Sequence, residues 1–258
     1  MSIIICGGGL SGLSCAYELQ KVGVNTSIID FRQEIGSPTR SPGIIRDNKF
    51  WNNWCNEFEL YPQCNYQINQ NGDGGIRREW LEKNLAIELG KNGTNIFTKR
   101  KIDSLSSNNG EIKVITNVKS KRSNKTFTCD IIVDALGNKS KNKMWPCNSN
   151  IILDQIPNYF QTVINIPKHK KLVNWTGGIT SDIPTKNNLK NNKENIVFER
   201  GDGFFECWSK ENILPNTNWL EVIRGEHPIS CLDFSVDLSI KKGIKLAKLT
   251  KEKINYQN

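Results

Sequence analysis

The chain has 258 residues, of which 24% are charged and 37% apolar, and a net charge of +9. This composition fits a folded domain and excludes a disordered chain, and no apolar run approaches the roughly 20 residues that cross a bilayer. A basic balance can attract nucleic acid, anionic lipid or an acidic cofactor. Here the lysines are spread, with small clusters at Lys168–Lys171 and Lys241–Lys253, and no nucleic-acid-binding module is legible.

The first elements are the most informative. Ile3–Cys6 is an apolar run that predicts a buried parallel strand. Gly7, Gly9 and Gly12 then give G-x-G-x-x-G, Leu13–Val22 predicts a helix, and Thr26–Ile29 predicts a second strand ending at Asp30. Each glycine has a physical task in such a unit: a tight turn, close approach of backbone to a pyrophosphate, and close helix–strand packing. The helix N-terminus offers N–H groups and a positive dipole end to phosphates. Asp30 stands 23 positions after Gly7 (30 − 7), where an acid meets a ribose hydroxyl. It argues for an adenosine with a free ribose, a point that Arg32 softens. The N-terminus has no basic leader and runs straight into the glycine motif, so it reads as a core strand rather than a signal peptide. A cytoplasmic location with reduced thiols is the expectation. Eight scattered cysteines without a C-x-x-C pair, and only two histidines, give no basis for a metal site.

Beyond Asp30, Gly36, Pro38, Pro42 and Gly43 mark an ordered loop that carries Arg40. Phe50–Leu60 is a short helix with an apolar face, and Gln67–Gly75 reads as polar turn. Leu81, Leu85 and Leu89 recur every fourth residue, which predicts a helix from Arg78 to Gly90. Asn95–Thr98 is a short strand, and Ile112–Val118 and Thr126–Cys129 form a hairpin or meander. Asp130–Leu136 is a buried strand running into Gly137. After Met144 the pattern changes to short β-like runs at Phe160–Ile166, Asn195–Glu199, Phe204–Trp208 and Trp219–Ile223, with a loop at Thr185–Asn195. A lysine-rich amphipathic helix spans Ser239–Ile254.

Four segments fall in one order: the glycine motif with Asp30, the loop around Arg40, the Arg78-x-x-Leu81-x-x-x-Leu85 helix, and the strand ending Val133-Asp134-Ala135-Leu136-Gly137-x-x-Ser140. This order resembles the FAD-dependent oxidoreductases of the aromatic-hydroxylase and geranylgeranyl-reductase superfamily, over about the first 140 residues. The resemblance implies an α/β fold: a Rossmann-like FAD-binding domain with a parallel sheet plus a β-rich substrate layer. It implies FAD as cofactor, NAD(P)H as a candidate reductant, and cofactor contacts from Gly7, Gly8, Gly9, Leu10, Ser11, Gly12, Asp30, Phe31, Arg40, Arg78 and Gly137. Leu136 stands where the family often has an aspartate. The resemblance places the wall of the substrate site at Gly201–Trp208, and a reduced counterpart of the late flavin-side segment at Gly225–Pro228 followed by Ser239–Ile244. Plain structural readings stand beside these: Arg40 as a surface charge, Arg78 as a salt-bridge partner, Gly201–Trp208 as an ordinary hairpin.

The implied organisation is a dinucleotide domain over residues 1–143, a β-rich substrate layer over 144–220, and a C-terminal segment over 221–258 that returns to the first domain. The implied activity is a geranylgeranyl-reductase-like oxidoreduction of a hydrophobic small molecule, with a basic helix suited to peripheral contact with an anionic membrane. A hydroxylase-like monooxygenase is the alternative within the family. A flavoprotein that binds nucleotide without turnover is the alternative outside it. An NAD-dependent dehydrogenase shares the first unit but not the Arg78 and Gly137 segments. No catalytic side chain is assigned, and the oligomeric state is open.

Overall fold

A computed structural model describes residues 1–55, 66–68, 72–108, 111–118, 123–137, 163–164, 171–182, 195–210, 218–230 and 233–255. The end of the helix expected through Leu60, Ser140, and most of the Thr185–Asn195 loop lie outside them. The chain divides into two compact units, each assembled from separated segments. The first comprises Met1–Ser37, Leu85–Lys168 and Ile240–Asn258, and the second Pro38–Asn84 and His169–Ser239. Among the described residues no helix is long and apolar enough to cross a membrane.

The first unit is built on a parallel sheet. Its strands, numbered in chain order, are β1 (Ile3–Cys6), β2 (Ser27–Ile29), β6 (Asn95–Phe97), β10 (Ile131–Asp134) and β11 (Val163–Ile164), in the spatial order β11-β10-β1-β2-β6. Every residue of β1 is buried, as are Ile131, Ile132 and Val133 of β10. Continuous apolar runs are what a parallel sheet covered on both faces requires. Helix α1 (Leu10–Gln20) buries Leu10, Leu13, Ala16 and Leu19 and stops at Gly23, whose φ of 76° only glycine takes readily. The helix begins three residues before the predicted Leu13, so the second half of the glycine motif is already helical. An antiparallel meander, β7 (Lys101–Asn108), β8 (Glu111–Val118) and β9 (Ser123–Cys129), adds Ile102, Leu105, Ile112, Val114 and Cys129 to a core with Ile4, Cys6, Ile29 and Ile132. Strand β7 is not legible in the sequence, because its alternation is broken by a bulge between Ile102 and Ser104.

The second unit holds an antiparallel sheet of β12 (Leu172–Thr180), β13 (Ile196–Glu199), β14 (Phe205–Ser209) and β15 (Glu221–Pro228), in the order β13-β14-β12-β15. A smaller antiparallel sheet joins β3 (Ile44–Ile45), β5 (Gly74–Ile76) and β4 (Tyr66–Ile68). Gln67–Gly75 is therefore not a plain turn: its ends lie in β4 and β5. Gly75 misleads the reading because it interrupts the strand pattern, yet a Cβ there would strike the Glu199 carbonyl and Phe198. The two strands, β5 and β13, meet where a side chain is missing. The same logic hides β12. Gly177 and Gly178 read as breakers, but a Cβ on Gly177 would lie 2.6 Å from the Trp208 ring, and one on Gly178 would run into Trp219. The glycines seat indole rings on the strand. The core here gathers Ile44, Trp175, Ile196, Phe198, Trp208 and Phe234. Helix α2 (Asn48–Cys55) buries Trp51 and Trp54.

Two helices are continuous across the division of the chain. Helix α3 (Arg78–Lys91) and helix α4 (Val236–Asn255) follow the predicted bounds closely. The first unit's part of α4 packs on α1 through Gly243, where a Cβ would lie 2.5 Å from the Ser11 carbonyl and 2.7 Å from Ser14.

Candidate functional site

The chain leaves β1 for β2 and β6 on one side, and later returns to β10 and β11 on the other. The reversal falls between β1 and β10, and open α/β sheets bind ligands at the carboxyl ends of strands flanking such a reversal. The glycine motif sits there. Gly7 has a φ of 110°, and a Cβ on it would come within 2.5 Å of the Ala135 carbonyl. Its N–H donates to the Ile29 carbonyl at 2.8 Å, and the Ala135 N–H donates to the Cys6 carbonyl at 2.9 Å. Gly7 thus closes the ends of three strands. A Cβ on Gly12 would collide with the Gly7 carbonyl, so α1 approaches the turn as closely as backbone allows.

Gly9 differs from both. A Cβ there would meet nothing within 4 Å, and its φ of −77° suits any residue. It is the N-cap of α1, and no side chain caps the helix. Gly7 and Gly12 are required by the protein itself, whereas space is kept at Gly9 beside a helix end that lacks a side-chain cap. A pyrophosphate fits such a place, since it accepts helix N–H groups and is drawn by the dipole.

The acid lies at the end of β2. Asp30 is 4% exposed. Its Oδ2 accepts the Gly8 N–H at 2.6 Å and Arg32 Nη2 at 3.2 Å; its Oδ1 accepts the Arg32 N–H at 2.7 Å and Arg32 Nε at 3.1 Å. Phe31 is half exposed. Leu10 is buried in the core, and Ser11 is half-buried with its carbonyl against Gly243. After β10, Asp134 Oδ1 accepts the Leu136 N–H at 3.1 Å, Leu136 packs on the meander core, and Gly137 is exposed with a φ of 73°. The first unit therefore contains Gly7, Gly8, Gly9, Leu10, Ser11, Gly12, Asp30, Phe31 and Gly137.

Arg40 and Arg78 belong to the second unit. Arg40 is exposed, and its carbonyl accepts His227 Nε2–H at 2.5 Å. Arg78 is buried. Its Nε donates to Glu82 at 3.2 Å, and its Nη1 reaches the Pro42 and Phe234 carbonyls at 3.4 and 3.5 Å. Glu206, one residue of the expected substrate wall, is also buried: it accepts Trp208 Nε1–H at 2.6 Å and the Gly43 N–H at 3.2 Å, with Arg200 at 3.8 Å. Burial pushes its carboxyl up from an ordinary 4.5 to about 7, opposed by Trp208, Arg200, the Gly43 N–H and Arg78. Three side chains, His227, Arg78 and Glu206, thus grip backbone groups of Arg40, Pro42 and Gly43. Sequence reasoning singles out Arg78 by itself and reaches Glu206 and His227 only as members of the Gly201–Trp208 and Gly225–Pro228 segments, without these partners. The available signal was an acid between Phe205, Cys207 and Trp208 in a β-like run. Gly225–Pro228, taken as a reduced flavin-side turn, lies within β15 and pairs with β12.

The thiols are quiet. Burial pushes Cys15, Cys129 and Cys207 up to about 12, which leaves them protonated and poorly nucleophilic near neutrality.

Comparison with known proteins places this geometry. Residues 5–57 match the family model of an NAD(P)-binding Rossmann-like domain. A digeranylgeranylglycerophospholipid reductase of Methanococcus vannielii is 30% identical over 128 residues, 45% of this chain and 33% of that protein. The match thus spans about a third of that relative's length. The crystal structure of a geranylgeranyl bacteriochlorophyll reductase-like protein from Thermoplasma acidophilum superposes with a TM-score of 0.64 at 15% identity, over 99% of this chain and 79% of that one. A flavoprotein/dehydrogenase from Cytophaga hutchinsonii gives a TM-score of 0.57 at 11% identity, over 96% and 77%. A glycerol-3-phosphate dehydrogenase from Bacillus halodurans, solved with FAD, gives 0.56 at 12%, over 100% and 64%. The fold is a Rossmann-like one with an added antiparallel layer, shared with these solved structures.

Proposed function

We propose that the protein is an FAD-dependent oxidoreductase of geranylgeranyl-reductase type, acting on a hydrophobic, isoprenoid-like substrate. The observation that carries the cofactor half of this reading is Gly9: space for a ligand beside a helix end without a side-chain cap, at the reversal of a parallel sheet. The substrate half is supported by the likeness in fold and sequence to the two reductase-type relatives. In this reading Gly7, Gly8, Gly9 and Gly12 receive the pyrophosphate, with the N–H groups at the start of α1 as donors. Asp30 and Phe31 border the adenosine, and Gly137 is the remaining candidate contact of the same unit. Bound FAD would supply hydride chemistry, with NAD(P)H as candidate reductant. The chain's own part is to bind, to orient and to exclude water. The antiparallel sheet of β12 to β15 is the proposed substrate layer.

The test is calorimetric titration of the purified chain with FAD and with ADP, followed by turnover. Stoichiometric FAD binding is expected, with FAD tighter than ADP. With FAD, a chemical reductant and a geranylgeranyl lipid, mass spectrometry should then show pairs of hydrogens added to the chains. Equal affinity for FAD and ADP, without turnover, would instead favour a protein that holds nucleotide only. A folded chain that binds neither would overturn the reading.

A further inference from the structure

The acid expected to meet the ribose is already engaged. A carboxylate offers about four lone-pair positions, and Asp30 has four donors on them: two backbone N–H groups, from Gly8 and Arg32, and two guanidinium N–H groups, from Arg32 Nε and Nη2. The backbone donors are fixed, because Gly8 sits in the glycine turn and the Asp30–Arg32 segment is tied on its far side. There the Lys99 N–H donates to the Arg32 carbonyl at 2.8 Å, and the Arg100 N–H to the Asp30 carbonyl at 2.9 Å. The guanidinium is the part that side-chain rotation can move. It presents two N–H groups, one to each carboxylate oxygen. A vicinal ribose diol presents two O–H groups in the same bidentate manner. One carboxylate face cannot serve both.

We propose that Arg32 is a latch on the nucleotide site: its guanidinium occupies the face of Asp30 that the adenosine diol takes, and nucleotide binds by displacing it. This rests on the reading that an adenosine nucleotide binds beside Asp30. Arg32 is then an affinity-setting residue that acts through Asp30. In the free protein its positive charge lies against the buried Asp30 side chain at 3.1 Å, so the empty site stays stable and its affinity is held down. The Asp30 carboxylate changes partners between the two states.

The experiment is calorimetry on the full chain with ADP and with 2′,3′-dideoxy-ADP. The proteins are wild type, Arg32→Met, Arg32→Lys, and Arg32→Met combined with Asp30→Asn. Methionine keeps an unbranched stem and lacks the fork; lysine keeps the charge and lacks the fork, and guards against a fold defect in the first variant. Both single variants should bind ADP tighter than wild type, by about tenfold for Arg32→Met, while dideoxy-ADP is unchanged. The ratio of the two affinities therefore rises, a result that a purely structural role would not produce. In the Asp30→Asn background the gain should vanish. Wild-type binding of ADP with an unchanged or falling ratio in both single variants would overturn the latch and leave the nucleotide reading standing. No binding of ADP by wild type or any variant would overturn both.

Discussion

The two units handle polar groups in opposite ways. In the first, the described strands of the parallel sheet are apolar through their interiors, and the buried carboxylate Asp30 stands at the carboxyl end of one of them. Gly7, Asp30 and Gly137 all stand at such ends, next to backbone whose hydrogen bonds are set by the strands. In the second, charges lie inside: Arg78, Glu82, Arg200 and Glu206 are all buried. They are arranged around a loop and an antiparallel sheet rather than around a place kept open. The contrast teaches where each kind of substitution should register. In the first unit, backbone space decides whether a change costs folding or binding. In the second, buried charge makes nearly every polar change a stability change.

Arg78→Met should give the largest effect. It removes the guanidinium that meets the Glu82 carboxylate, 3% exposed on its side chain, at 3.2 Å. Breaking a buried pair on one side costs about 3–5 kcal/mol, measurable as a lower midpoint in chemical denaturation. A loss under about 1 kcal/mol would show that the pair is solvated and would erase the contrast.

Gly12→Ala comes next. Its Cβ must share space with the Gly7 carbonyl, and forcing atoms into a packed interior costs about 1–3 kcal/mol. Thermal unfolding should show it even without nucleotide.

Glu206 separates the units by pH. Its folded carboxyl is raised to about 7 from 4.5, so the folded state holds a proton that the unfolded chain releases. Stability contributed by the protonated form is fully present below about 4.5 and declines as pH rises to about 7. By linkage the decline is on the order of 3 kcal/mol. Glu206→Gln should flatten stability across that window, and a denaturation series at several pH values reads it. Equal slopes for the two proteins would mean that Arg200 and Arg78 keep the group ionised.

Gly9→Val should have the smallest effect on folding, under about 1 kcal/mol, since valine is only a poorer N-cap than glycine. Yet it should abolish ADP and FAD binding, because its side chain enters the space kept at the head of α1. Together with Gly12→Ala it splits one motif into a ligand position and a folding position. Wild-type affinity in Gly9→Val would remove the cofactor argument at its root.

The sequence carried these regions unequally, for a physical reason. In the first unit, function and fold share local signals. Ile3–Cys6 announces itself by a continuous apolar run and the glycines by their spacing. In the second unit the decisive contacts are distant in the chain. Gly177 is legible as a strand residue only once Trp208 is known to lie across it, and Gly75 only once Glu199 is placed behind it. The grip of His227 on the Arg40 carbonyl joins residues 187 positions apart. No local pattern encodes that. Asp30 is the intermediate case: its place at the end of β2 is legible from the strand pattern, and its engagement by Arg32, two residues later in the chain, is not.

The bond between Trp208 Nε1 and Glu206 Oε1, 2.6 Å long, has an optical consequence. A fully buried indole that donates to a carboxyl changes its excited-state quenching when that carboxyl gains or loses a proton. Trp208 emission should therefore titrate near neutrality in wild type, and the step should be missing in Glu206→Gln. Subtracting the spectrum of Trp208→Phe isolates it from the other six tryptophans of the chain. The protein carries its own fluorescent indicator for one interior proton, readable without any added dye or nucleotide.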